Sequence, residues 1–184
     1  MTDLLPAAEA PQVELVSRVS REGFRQAFRH YPAGVVVVTA DAGRGPVGFT
    51  ATSLSSLSLD PPLISFGIAT GSSSWPHLRD ATTAVVNFLG ADQEPLARRF
   101  ATSGIDRFAA PTSWHRLPGG EPALDGTSGR LTVRIEQLVT AGDHRLVLAR
   151  VEEISLAHAP QPLLYHDGRY HPLPSAHTTT AERS

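Results

Sequence analysis

The first strong pattern in the chain is helical. Phe24, Ala27, Phe28 and Tyr31 recur at helix spacing, and Arg21, Arg25 and Arg29 form the opposite face. Ser20 suits the N-cap, while Pro32 and Gly34 end the helix. Val35-Val36-Val37-Val38-Thr39 follows, an unbroken β-branched run that reads as a buried strand. Residues 41–46 form a turn and residues 47–52 alternate, which predicts a hairpin.

Residues 53–62 read as a serine-rich loop closed by Asp60-Pro61-Pro62, and residues 63–68 as a third strand. A second serine-rich loop, residues 70–74, leads into a short helix over 75–80 with Pro76 in its first turn. Residues 84–89 predict a fourth strand, and Asp92 is the expected cap of a helix reaching about Phe100. Residues 101–128 show no periodicity. Leu131, Val133 and Ile135 alternate with polar neighbours as a half-buried strand. It turns at Gly142-Asp143 into a partner over 146–151. A last hairpin sets Leu163-Leu164-Tyr165 against Arg169-Tyr170. Hairpins dominate and crossover helices are scarce, so the fold class is mainly β: an antiparallel barrel with peripheral α-helices rather than a doubly wound sheet.

With 184 residues, of which 41% are apolar and 18% charged, the chain has the composition of one globular domain. We place that domain at residues 19–173, after a loose leader at 1–18 and before a polar tail at 174–184. Cysteine is absent, which excludes disulfides, thiolate nucleophiles, Cys-ligated zinc and iron–sulfur clusters. Lysine is absent too, which removes Walker-type phosphate loops and Schiff-base chemistry. A net charge of −2 argues against a general nucleic-acid or anionic-membrane partner. No apolar run approaches the roughly 20 residues of a membrane helix, and the start resembles no secretory signal, so a cytoplasmic protein is expected.

Several apparent motifs fail. Gly43-Arg44-Gly45-Pro46-Val47-Gly48 matches a dinucleotide fingerprint, but that motif opens a helix, and here Pro46 and the alternation after it indicate a strand. His158, His166, His171 and His177 lack metal-ligand spacing, so no metal is expected. No Gly-x-Ser-x-Gly elbow anchors a hydrolase triad. What stands out is hydroxyl density. Thr50, Thr52, Ser53, Ser55, Ser56 and Ser58 follow Gly48, and Ser72, Ser73 and Ser74 form a second cluster. Such loops offer neutral donors and an approachable backbone to a polar ligand, although serine and threonine also favour ordinary turns.

The order of these segments resembles the flavin reductase-like family with the FMN-binding split-barrel fold. More narrowly, it resembles the short NAD(P)H:flavin oxidoreductases of two-component monooxygenases. The resemblance is carried by Phe24-Arg25-x-x-Phe28, Tyr31-Pro32-Ala33-Gly34-Val35, Pro46-Val47-Gly48-Phe49-Thr50-Ala51-Thr52-Ser53 and Ser58-Leu59-Asp60-Pro61-Pro62-Leu63. It continues through Ser74-Trp75, Val86-Asn87-Phe88-Leu89, Arg99-Phe100, Gly142-Asp143-His144 and Tyr165-x-x-Gly168-x-Tyr170.

It implies a six-stranded antiparallel Greek-key barrel, a homodimer, and hydride transfer from NADH or NADPH to FMN or FAD, with the reduced flavin passed to a monooxygenase. By position, Pro46, Val47, Gly48, Phe49, Thr50, Thr52 and Ser53 would line the ring and ribityl chain. Gly67, Ile68, Ala69, Ser73 and Ser74 would meet the ribityl and phosphate part. Arg99 and Phe100 would stand at the phosphate end, and His144 with Tyr165, Gly168 and Tyr170 where nicotinamide docks. No catalytic base is implied, only positioning, with His144 the candidate. Two positions depart from the family pattern: Thr52 stands where many relatives have asparagine, and Ser73 where they often have a basic residue. A flavin carrier without turnover is the alternative, and a barrel used only for protein interaction a third reading.

Overall fold

A computed structural model describes residues 19–157 and 161–173. The leader, the tail, His158 and His177 lie outside the described residues. Helix α1 (Arg21–Arg29) starts at Ser20, whose hydroxyl accepts from the Gly23 amide at 3.0 Å. The chain then runs through β1 (Ala33–Gly34), β2 (Val36–Ala40), β3 (Val47–Ala51), β4 (Ser55–Leu59), β5 (Pro62–Ala69), α2 (Trp75–Leu78) and β6 (Thr83–Phe88). It continues with α3 (Glu94–Ala101), β7 (Trp114–Arg116), β8 (Pro122–Leu124), β9 (Gly129–Ala141), β10 (His144–Leu156), β11 (Leu163–His166) and β12 (Arg169–Pro172).

The main sheet has the antiparallel order β3-β2-β6-β9-β10-β5-β4. The valine run shows why it curls. Val36, Val38 and Ala40 face a core shared with Phe49, Phe66, Val86, Val133 and Val147, which fills the barrel. Val35 and Val37 face a second core with Leu89, Ala97, Phe100, Phe108, Leu124 and Leu163. A strand covered on both sides has no need of the apolar–polar alternation of a one-sided strand. The second core lies outside the barrel, under α3 and the small sheet β1-β11-β12.

The barrel does not close by a ladder. β3 and β5 approach so that the Phe49 and Phe66 rings lie 6.3 Å apart, yet the two strands are not paired. β4 follows β5 only as far as the Ser55–Ser65 pair, so residues 66–69 of β5 turn a bare edge toward β3. The Gly67 amide spans that gap, donating to the Ser53 hydroxyl at 2.9 Å. The mainly β split barrel matches the expectation, with β4 as one strand more than the six implied.

Other departures have local causes. Residues 55–59 form an edge strand because pairing with β5 overrides the turn preference of their serines. Asp92 is not the cap of α3. Gln93 holds that position and accepts from the Gly90 amide at 2.8 Å, and Pro95 sets the first turn. The stretch without periodicity contains the β7–β8 hairpin, too short for its pattern to show. The aromatic face of α1 stays exposed, with Phe24 at 60%, Phe28 at 59% and Tyr31 at 68%, so helical spacing here marks a face without a core beneath it.

Candidate active site

The sequence of β3 explains the site. Val47, Phe49 and Ala51 point into or against the barrel core, which sends Gly48 and Thr50 to the outer face. There α3 packs on them. The Thr50 hydroxyl donates to the Ala97 carbonyl at 2.6 Å, and a Cβ on Gly48 would stand 2.7 Å from the buried Phe100 ring. Glycine is required so that the helix can lie this close.

Between the bare edges of β3 and β5 runs a groove of about 530 Å³, within the ordinary size of a cofactor site. Phe49, Thr50, Thr52 and Ser53 form one wall and Gly67, Ile68 and Ala69 the other. Phe100, Gly71, Ser72, Ser103, Arg107 and His144 complete it. A Cβ placed on Gly67 would meet the Ser53 hydroxyl at 3.4 Å and the His144 ring at 3.9 Å, so the missing side chain leaves the floor open between them. Ser53 is fixed by the Gly67 amide. His144 pairs through Nδ1 with Asp143 Oδ1 at 2.7 Å, and that hydrogen bond, with the His144 charge, holds the Asp143 carboxyl below its ordinary value.

A smaller polar hollow of about 230 Å³ adjoins the groove, and Arg107 lines both. Pro46, Val47, Gly48, Ser73 and Ser74 line this hollow rather than the groove. Arg107 donates through Nη1 to the Gly48 carbonyl (3.1 Å) and to the Ser73 and Ser74 hydroxyls (both 3.2 Å), and through Nε to the Thr102 carbonyl at 2.9 Å. Burial lowers its pKa. Among the described residues no carboxylate pairs with it. Asp106 also lines the hollow, with its Oδ1 turned to the Phe108 and Ala109 amides, and a partly desolvated cation beside two serine hydroxyls can receive an anion.

Not every expected residue converges here. Arg99 does not reach the hollow: its guanidinium donates to the carbonyls of Asp106, Arg107, Ala109 and Ala110. It lines a different cavity with Asp92, Gln93 and Asp125. Gly168, with φ +75°, serves the β11–β12 turn, and Tyr170 packs on the second core with Arg98 over its ring at 5.1 Å. Tyr165 lines a cavity beside α1 that shares Thr52 and Ser53 with the groove, so only His144 of the proposed nicotinamide group lines the groove itself. Arg107, Gly71 and Ser103 were missed, and Ser72 stood in the second hydroxyl cluster without a site role of its own. Arg107 lies in the stretch without periodicity, where only the buried Phe108 after it hints at a return to the core.

A hydroxyl-lined slot at the split of an antiparallel barrel, with Arg107 among its lining residues, is a geometry suited to a flat polar ligand. Residues 28–174 match the flavin reductase-like domain. The NADH:FMN oxidoreductase of Rhodococcus qingshengii is 48% identical over 162 residues, covering 86% of this chain and 84% of that protein. HsaB, the reductase subunit of a flavin-dependent monooxygenase in Rhodococcus jostii, is 32% identical over 80% of this chain and 75% of its own. Among solved structures, the Streptomyces globisporus NADH:FAD oxidoreductase SgcE6, in complex with NAD and FAD fragments, superposes with a TM-score of 0.83 at 32% identity, over 90% of this chain and 99% of that one. The chain belongs to the flavin reductase-like family.

Proposed function

We propose that the protein is an NADH-dependent flavin reductase that takes FMN as its preferred flavin and supplies the reduced form to a separate monooxygenase. The observation that carries the flavin assignment is the groove between the unpaired edges of β3 and β5, lined by an arginine that has no carboxylate partner among the described residues. Family membership and relatives of the NADH:FMN and monooxygenase-reductase kind support the chemistry.

The residues present fit a flavin. The open floor at Gly67 admits a flat ring against the strand, and the Ser53 hydroxyl, held by the Gly67 amide, stands ready at its edge. Thr50 spends its proton on α3 and so presents an oxygen rather than a donor to the groove. Arg107, Ser73 and Ser74 would hold the phosphate, with Arg107 supplying the charge that Ser73 lacks. A bound flavin would supply the two-electron chemistry toward a reduced nicotinamide. The chain positions the two rings and needs no general base. His144, oriented by Asp143 on the exposed side of the groove, would steady the nicotinamide. Pro46 and Val47 flank the phosphate hollow, and Phe49, Ile68, Ala69 and Phe100 shape the walls.

The working unit is a homodimer. Exposed Phe24, Phe28 and Tyr31 share a cavity with Leu54, and Leu54 shares another with Leu156, next to exposed Ile154. This joins α1 and the end of β10 in one apolar face of the kind that marks an interface. Light scattering should give a dimer, and Phe28→Arg a monomer. A wild-type monomer at micromolar concentration would refute the assembly.

The activity test is anaerobic mixing of the protein with FMN or FAD and NADH or NADPH. The oxidised-flavin absorbance is expected to bleach, fastest with FMN and NADH. Unchanged absorbance with every pair would refute the reductase reading.

A further inference from the structure

We propose that Arg99 is a positioning residue for flavin selection: it does not touch the flavin, but folds the 106–110 segment so that Arg107 reaches the groove. The inference rests on the reading that Arg107 holds the flavin phosphate.

The segment has no helix or strand to set its backbone. What sets it is a guanidinium. Arg99 Nε donates to the Arg107 carbonyl at 3.0 Å, and Nη2 to the carbonyls of Asp106 (2.8 Å), Ala109 (2.9 Å) and Ala110 (3.4 Å). Four carbonyls thus converge on one planar cation. From within the segment, Asp106 Oδ1 accepts the Phe108 and Ala109 amides at 2.9 and 3.2 Å. The Phe108 ring packs edge-on against Phe100, with centroids 5.3 Å apart, and Thr112 donates a second bond to the Arg107 carbonyl at 2.7 Å.

The backbone of Arg107 is therefore held on one side while its side chain leaves toward the Gly48 carbonyl and the hydroxyls of Ser73 and Ser74. Arg99 itself lines the cavity of Asp92, Gln93 and Asp125, away from the groove. A fork of five donors can bridge several carbonyls at once, whereas a lysine ammonium has only three donors on one nitrogen. Without the clamp, ordering Arg107 falls on the binding event and weakens it.

The test compares FMN with riboflavin, which lacks the phosphate, on the wild type, R107A, R99A, R99K and R99A/R107A. It uses equilibrium titration by flavin fluorescence and steady-state kinetics with NADH. R107A should weaken FMN binding about 10- to 100-fold, the range of one lost charge-assisted contact, and leave riboflavin nearly unchanged. R99A should raise the KM for FMN selectively by about 5- to 30-fold with little change in kcat, R99K should fall between it and the wild type, and the double variant should be no weaker than R107A. If R107A keeps its preference for FMN, the phosphate reading itself falls. If R107A loses the preference while R99A and R99K keep it, the positioning role is overturned and the phosphate reading stands. Equal losses for both flavins in R99A and R99K also overturn it, since they would show a scaffold role only. Should R99A fail to fold, R99K decides between the same outcomes.

Discussion

The barrel and the 102–125 segment are built on different principles. The barrel is set by side chains that alternate and bury: Val36 and Val38 inward, Val35 and Val37 outward, with Phe66 and Phe100 fully enclosed. The segment is set by polar bonds to particular atoms. Arg99 gathers its carbonyls, Asn87 accepts the Leu124 amide at 3.0 Å, and Arg116 pairs with Asp41. The barrel makes the slot, and the segment brings the charge to its end. Apolar packing tolerates exchange among residues of similar size, while a bond network fails when one member is removed.

The sharpest way to break this contrast is at the joint between the two regions. Buried Asn87 donates to the Val37 carbonyl at 3.0 Å and the Thr39 hydroxyl at 3.1 Å while it holds Leu124. Asn87→Leu should cost about 2–4 kcal/mol in urea unfolding, because it strands several buried polar groups at once. A loss near zero would mean the segment is not tied to the barrel there. Gly48→Ala, on the barrel side, forces a methyl against the Phe100 ring and should cost about 1–3 kcal/mol by the same measurement.

The smallest effect is on pH. Burial pushes the Asp41 carboxyl up, but the Arg116 hydrogen bond, the Gly43 and Gly45 amides and the Arg116 charge bring it below its ordinary 3.8. Hydrogen bonds from Ser113 and His115 lower Asp125 in the same way. A carboxyl with a lowered folded pKa contributes stability that is fully present above its unfolded value and is lost as pH falls through the folded one. Below about pH 4 the segment should therefore loosen, by under ~1 kcal/mol for each of these screened pairs. Hydrogen exchange at residues 113–125 should rise before exchange in β6 and β9. Simultaneous rises would contradict the separation.

The same contrast explains what could be read in the sequence. Strands with a buried face were legible because burial leaves a period, and the hairpin at Asp41 was legible against a competing glycine motif because Pro46 and the alternation of β3 disagree with a helix. The hydroxyl walls at Thr50, Thr52 and Ser53 were legible as an unusual density of small donors, and all three line the groove. Arg107 carried no periodic signal beyond the apolar Phe108 beside it, since its surroundings are made of hydrogen bonds to single atoms rather than of a repeat. Arg99 was expected at the phosphate because the family resemblance runs through Arg99-Phe100, and a matching motif says little about which side of a loop a guanidinium takes.

The proposed function stands on a flavin ring seated in the slot between β3 and β5. Gly67→Leu tests it most directly, because a Cβ there points between Ser53 and His144 and the rest of the side chain fills the slot. Titration of FMN and riboflavin into this variant and the wild type should show both flavins lost from the variant, with its thermal unfolding still cooperative. A cooperatively folded Gly67→Leu variant that binds both as the wild type does would rule this slot out as the flavin site.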